Sequence, residues 1–348
     1  MKLGSSLVAT PAGAVRRTLL AARAKEVAEL LAGGHSVCVV SSGAIALGAP
    51  RLGFARRPAA MGRLQAASAV GQAQLQQAWE GAFRRVGLQA AQILLSPADV
   101  ADRQTYVNVC NTFDALFRLG AVPVVNENDA TATDEITFGD NDSLAAQVAV
   151  LTGARLLVLL TEVDGVYSRA PGTPGAELLD DGSLTPGARL GRTTGLGRGG
   201  MGSKIAAAQL AAGAGIPTVI ASGRAESVLV PIVAGERRGT RFDGAAPGES
   251  AFKLWIRHGK RPRGSIVLDA GAEQALRKAG ASVLAVGVTK CDGGFGPGDA
   301  IELVSASGVP IGKGIASIAA AEIGSRARGL EVVNRDRLVL YEQERFAT

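Results

Sequence analysis

Apolar positions along the chain follow two rhythms. Residues 14–31 repeat with helical spacing and stop at Gly33-Gly34, a glycine signal for a helix end. Residues 36–40 form a short apolar run rich in β-branched side chains, which predicts a strand buried on both faces. The alternation then continues. Helical spacing covers 61–86, 103–119, 141–152 and 203–214, and strand-like runs cover 88–95, 121–125, 155–160 and 216–221. Strands that alternate with helices predict an α/β fold, a largely parallel sheet covered by helices on both faces. Past 247–262, a stretch rich in Gly, Pro and basic residues, the rhythm changes. Short β-rich runs at 265–268, 282–289, 300–304, 309–315 and 337–341 are separated by Gly and Asp turns. They predict a small β-barrel or sandwich with one or two short helices. The break divides the chain into domains at 1–252 and 262–348, and a length of 348 residues suits two domains.

Composition sharpens this picture. Hydrophobic residues make up 47% but aromatics only 4%, so Ala, Val, Leu and Ile must fill the core. No run approaches the length of a membrane span, and the first residues lack the apolar core of a signal peptide. The three cysteines, Cys38, Cys110 and Cys291, are scattered. They offer neither a disulfide framework nor metal-ligand spacing, so a cytoplasmic location and no structural metal are expected. Cys38 sits in an apolar run and is expected to be a small buried thiol. A net charge of +6 raises the question of nucleic acid. Yet 262–348 holds ten basic and ten acidic residues, and the excess lies largely in 253–261, with four basic and none acidic. That segment is expected to be a solvated linker, and RNA is not an expected partner. The chain has two histidines, His35 in a Gly-rich turn and His258 in the basic stretch. Neither has the company that a Ser-His-Asp or zinc site requires.

Chemistry-bearing residues collect after the strand-like runs, where ligands gather in open α/β sheets. Residues 196–204 read Leu-Gly-Arg-Gly-Gly-Met-Gly-Ser-Lys before an alanine-rich helix. Glycines let backbone N–H groups approach a ligand, the helix start adds more donors, and Lys204 adds a mobile charge. This suits a polyphosphate, although a surface loop has the same composition. It is not a Walker A loop, because Ser203 separates Gly202 from Lys204. Asn126-Glu127-Asn128-Asp129 and Gly139-Asp140-Asn141-Asp142 form an acidic and amide-rich stretch. Its amides can donate to a carboxylate and its acids can accept from an ammonium group; Asn141 and Asp142 equally suit a helix cap and first turn. Ser42-Gly43-Ala44 reads either as a helix start or as donors for a carboxylate. Taken alone, Lys2 reads as a solvated terminus.

Taken in order, these motifs resemble the amino acid kinase family: Lys2-Leu3-Gly4-Ser5-Ser6, Val40-Ser41-Ser42-Gly43-Ala44-Ile45, Val125 to Ala130, Gly139 to Asp142, Leu160-Thr161-Glu162 and Gly197 to Lys204. The closest likeness is to its glutamate-phosphorylating branch, and the tail from about Pro262 looks like a PUA domain. The resemblance covers nearly the whole chain. It implies transfer of a phosphoryl group from ATP to the γ-carboxylate of L-glutamate, the first step of proline biosynthesis, with Mg²⁺ bridging the phosphates. It implies that Ser42, Asp129 and Asn141 bind glutamate. Thr161, Glu162, Arg198, Gly199, Gly200, Met201, Gly202, Ser203 and Lys204 would line the nucleotide site. Lys2 and Lys204 would neutralise the phosphates and Asp142 would help organise the site. It further implies a homo-oligomer, feedback by proline and a glutamyl phosphate reductase as pathway partner. The alternatives are another carboxylate kinase of the same family and a PUA-type RNA-binding protein. The departures are mild: Glu162 stands where the family often has Asp, and Gly202 or Ser203 near where it has Thr. A larger one lies at the start. The family has several apolar strand residues before Lys-Leu-Gly, whereas Met1 directly precedes Lys2. The expectation is that the natural start lies upstream and that Lys2, as written, sits on a fraying end.

Overall fold

The computed structural model describes residues 1–96, 99, 103–131, 141–181, 200–244, 253, 256–257, 262–323 and 329–341. The chain divides into two compact units, Met1–Ala246 and Pro247–Thr348.

In the first unit the elements alternate as the patterning predicts. They are β1 (Lys2–Leu3), α1 (Ser5–Val8), α2 (Arg17–Ala32), β2 (Val39–Ser41), α3 (Ala44–Arg51), α4 (Met61–Arg84), β3 (Gln89–Leu95) and α5 (Arg103–Arg118). There follow β4 (Ala121–Glu127), a 3₁₀ turn (Asp129–Thr131), α6 (Asn141–Leu151), β5 (Leu157–Thr161), α7 (Met201–Gly213), β6 (Thr218–Ser222), α8 (Leu229–Val233) and β7 (Thr240–Phe242). The strands form one sheet in the order β3-β4-β2-β1-β5-β6-β7. All its pairings are parallel except that of β7 with β6. Successive strand residues point to opposite faces, so an unbroken apolar strand must be covered twice. Leu3, Val39, Val124, Leu160 and Val219 join one core with α2, α4 and α8. Val40, Val125, Leu159 and Ile220 join a second core with α5, α6 and α7. The chain first builds to one side of β1 and then returns to place β5 on the other, which opens a crevice at the strand carboxyl ends.

Several expectations need correction. Lys2 is no solvated terminus: it is 4% exposed, and β1 is short but central, paired with both β2 and β5. The Met1 amino group donates to Cys38 O at 2.7 Å. Cys38 itself is half-buried, and burial pushes its thiol up to about 12. The helix foreseen from residue 14 begins at Arg17, and α1 precedes it. Ser42-Gly43-Ala44 does start a helix, with Gly43 at φ +119 before α3. Helices α3 and α4 cross glycine to glycine. A Cβ on Gly71 would lie 1.8 Å from Ala44 O, and one on Gly48 would lie 1.8 Å from Ala67 O. Only glycine permits that approach.

The second unit holds β8 (Gly264–Leu268), α9 (Ala270–Ala279), β9 (Val283–Leu284), β10 (Val288–Gly293), β11 (Ala300–Val304), β12 (Pro310–Ala316), α10 (Ala320–Ile323) and β13 (Glu331–Leu340). One mixed sheet runs β10-β8-β11-β12-β13-β9 around its own apolar core. The run at 282–289 is not one strand, because a 3₁₀ turn at Ala285–Gly287 divides it. Helix α9 is locally specified: Asp269 caps it by accepting from Ala272 N at 2.7 Å, basic Arg277 and Lys278 fill its last turn, and Gly280 ends it at φ +57. The solvated-linker expectation for 253–261 fails at its described residues. Ile256 is fully buried, Arg257 donates to Leu340 O at 2.9 Å, and Lys313 donates to Arg257 O at 2.8 Å.

Candidate active site

Lys2 of β1 and the polar groups at the ends of β2 and β4 gather with the starts of α6 and α7 in two clusters. The first is centred on Asp142, in the first turn of α6 and 1% exposed. Lys2 Nζ donates to its Oδ1 at 2.6 Å, and Lys204 Nζ to its Oδ2 at 3.2 Å. Ser203 Oγ lies 2.7 Å from the same Oδ2 and 2.8 Å from Gly200 O. Thus β1, from the chain start, and α7, some two hundred residues later, deliver two ammonium groups to one carboxylate. Burial alone would push the Asp142 carboxyl up. The charges of Lys2 and Lys204, with hydrogen bonds from Lys2 and Ser203, outweigh it and bring it down to about 2.

Gly200 caps α7 and Met201 and Gly202 open it, with no side chain filling the cap. A Cβ on Gly202 would meet nothing within 4 Å, so the backbone N–H groups here are approachable. Arg198 and Gly199 lie outside the described residues, as do Gly139 and Asp140. Thr161 ends β5 and is half-buried; its carbonyl accepts from Gly223 N at 2.7 Å. Glu162 is exposed and pairs with Arg224 at 2.5 Å.

The second cluster is built of neutral donors and one acid. Asn141 Nδ2 donates to Ser42 Oγ at 3.0 Å and to Asn126 Oδ1 at 2.9 Å, while its own Oδ1 accepts from Glu127 N at 3.3 Å. Asn126 Nδ2 donates to Gln72 Oε1 at 2.7 Å. Asn141 is the first residue of α6 rather than its cap, and its side chain brackets the ends of β2 and β4. Asp129, 6% exposed, accepts from Ser68 Oγ through Oδ2, and its buried Oδ1 has no hydrogen-bond partner among the described residues. Burial pushes this carboxyl up, against smaller opposing pulls from Ser68 and the Arg57 charge. Lys2, Lys204 and Asp142 thus come together, as do Ser42 and Asn141.

Three residues of this framework are new to the structure: Ser68, Gln72 and Trp79 on α4. Trp79 Nε1 donates to Ser41 Oγ at 2.9 Å and fixes the strand end beside Ser42. Their signal was faint: polar side chains four and seven residues apart share a helix face with Leu64, Gly71 and Leu75.

Among the described residues, no group of three or more His, Cys, Asp or Glu side chains is placed to hold a metal, and no helix is long and apolar enough to cross a membrane.

Comparison with known proteins fits this geometry. The model of the amino acid kinase family matches residues 1–222, and that of the PUA domain matches 264–338. A glutamate 5-kinase of Pseudomonas putida strain F1 is 43% identical over 98% of this chain and 96% of its own length. That of Thioalkalivibrio sulfidiphilus is 42% identical over the same shares. That of Sphingopyxis alaskensis is 44% identical over 92% of this chain and 88% of its own. The chain belongs to the amino acid kinase family, in its glutamate 5-kinase branch, and carries a C-terminal PUA domain.

Proposed function

We propose that this chain transfers the γ-phosphoryl group of ATP to the γ-carboxylate of L-glutamate, giving ADP and L-glutamyl 5-phosphate. The observation that carries the site assignment is the pair of ammonium groups held on Asp142 at the carboxyl ends of the sheet. In the reaction, a γ-carboxylate oxygen attacks the γ-phosphorus and the bond from that phosphorus to the bridging β-oxygen breaks. A glutamate side chain has a pKa of about 4.3, so the nucleophile is already an anion at neutral pH. No general base is needed, which suits a site without histidine. What remains is placement and charge neutralisation.

Each cluster takes one of those tasks. Lys2 and Lys204 each carry three N–H donors, so they can hold Asp142 and turn towards phosphate oxygens. Gly200, Met201, Gly202 and Ser203 present the N-terminus of α7 to the same charge, and Arg198 and Gly199 extend the loop. Thr161 and Glu162 border the nucleotide. On the amino-acid side, Ser42 Oγ accepts from Asn141 and keeps its hydrogen for a substrate carboxylate. Asp129 Oδ1 is a buried acceptor suited to the α-ammonium group. Mg²⁺ enters with ATP as part of the substrate. Both Asp142 oxygens are already engaged, so phosphate oxygens and water would hold the ion.

The acyl phosphate product is reactive, so a glutamyl phosphate reductase is the natural consumer. Proline feedback at the amino-acid subsite, a homo-oligomeric state and a domain break between 252 and 262 complete the reading. The test is hydroxylamine trapping with Mg-ATP. Glutamyl hydroxamate and stoichiometric ADP are expected from glutamate. Product from aspartate or N-acetylglutamate, with none from glutamate, would refute the substrate.

A further inference from the structure

Ser68 is 3% exposed on a face of α4 made otherwise of Leu64, Ala67, Gly71 and Leu75. A serine inside a helix usually turns its hydroxyl to its own backbone or to solvent. Here the hydroxyl donates across to Asp129 Oδ2. Its backbone cannot drift, because one turn later Gly71 lies against Ala44 at the start of α3. The other oxygen of Asp129 stays buried with no partner among the described residues. An acceptor left so is costly unless a ligand donor meets it. We propose that Ser68 is a positioning residue of the amino-acid subsite: it locks the Asp129 carboxylate in one orientation and reserves Oδ1 for the substrate's ammonium group.

The inference rests on the glutamate kinase reading. It differs from a packing role in a definite way. A packing serine would matter equally to every state of the enzyme, whereas a clamp on Asp129 matters only to what Asp129 binds. The hydroxyl also helps to keep the carboxylate ionised: burial pushes it up, and Ser68 and Arg57 are what oppose this.

Steady-state kinetics on the full chain test it, with Mg-ATP and L-glutamate varied separately. Ser68→Ala should raise the glutamate KM roughly five- to tenfold, within the worth of one ordinary hydrogen bond, because the lost bond orients Asp129 and does not itself touch the substrate. Turnover and the ATP KM should stay within about twofold, and adding Ser68→Ala to Asp129→Asn should change the glutamate KM by less than about twofold, since the two act as one unit. Ser68→Cys, which keeps the volume and weakens the donor, serves if the alanine variant does not fold. An unchanged glutamate KM, a matching rise in the ATP KM, or a full effect on the Asp129→Asn background would overturn the clamp while leaving the reaction intact. A wild-type enzyme that ignores glutamate would overturn the reaction itself, and the clamp with it.

Discussion

The two clusters of the site solve opposite electrostatic problems with the same residue type. Asp142 and Asp129 are both buried aspartates placed beyond strand ends. Asp142 is surrounded by cations, and its carboxyl is brought down to about 2. Asp129 has a serine and the charge of Arg57, and burial wins, so its carboxyl is pushed up. The difference teaches which one is structural. A carboxylate whose charge is already matched stabilises the fold before any ligand arrives. One whose charge is under-matched is a cost that a cationic ligand group removes. On the proposed function, phosphate handling would be built on a satisfied aspartate, and amino-acid recognition on an unsatisfied one.

The largest effect should come from breaking the satisfied member. Asp142→Asn leaves two buried ammonium groups facing each other, and removing one partner of a buried ion pair typically costs about 3–5 kcal/mol. A large fall in melting temperature is expected with loss of turnover. The pH dependence follows from the lowered carboxyl. Its native value lies below the unfolded one of 3.8, so its stabilisation is present above pH 3.8 and is lost as pH falls towards about 2. That difference corresponds to roughly 2 kcal/mol. The wild type should show this acid-side loss in a melting series, and Asp142→Asn should not. Equal slopes would place the charge matching elsewhere.

Next comes Lys204→Ala, which keeps Asp142 and its other partners. Removing a preorganised group from the developing charge costs roughly 3–4 kcal/mol, or about 10²–10³ in turnover. The fall should appear in kcat far more than in the ATP KM. Near-normal kcat would leave Lys204 as scaffold for Asp142 alone.

How much of this was legible beforehand differs between the clusters. Of the first, Lys2 lies inside the two-residue β1 and alone reads as a solvated terminus, whereas Asp142, Ser203 and Lys204 stand in motifs that open a helix. Polar residues there interrupt apolar runs and so stand out. In the second, Ser42, Asp129 and Asn141 share that advantage, but Ser68, Gln72 and Trp79 do not. On a helix with five glutamines among its residues, a serine and a glutamine read as a solvated face. Only the glycine crossing with α3 turns that face inward, and the contact partner of a glycine is invisible in one dimension. The fold shows the same division. Strands buried on both faces announce themselves, whereas the two-residue β1, the five-residue α8 and the three-residue β7 are too short to carry a rhythm. The burial of Ile256 escaped for another reason: four basic neighbours masked the short apolar run Leu254-Trp255-Ile256.

The under-matched member gives a prediction of opposite sign. Asp129→Asn should raise the glutamate KM by roughly 10–100-fold, the loss of a charge-assisted hydrogen bond. The ATP KM should hold. Because the native carboxyl is pushed up, its ionised form is a cost to the folded state above its native value and absent below the unfolded value. Removing the charge should therefore raise the melting temperature near neutral pH, where Asp142→Asn lowers it. A fall in both variants would erase the contrast between the two aspartates.

The smallest effect tests how far the matched region extends. Glu162 carries a salt bridge to Arg224 at 2.5 Å, as short as any in the first cluster, yet both side chains are exposed, at 42% and 59%. Water and salt screen such a pair, and holding two long side chains in one geometry costs entropy. Its worth is about 0–1 kcal/mol. Its distance is close to the 2.6 Å between Lys2 and Asp142; its dielectric is not. Glu162→Gln should therefore leave the melting temperature nearly unchanged, and what little changes should vanish at high salt, with the Debye length down to about 3 Å at 1 M. The ATP KM is the discriminating readout. A shift of a few-fold with no loss of stability would mark Glu162 as a border of the nucleotide site. A drop in melting temperature comparable to that of Asp142→Asn would mean that burial does not separate the two pairs, and the electrostatic contrast drawn between the buried aspartates would lose its physical basis.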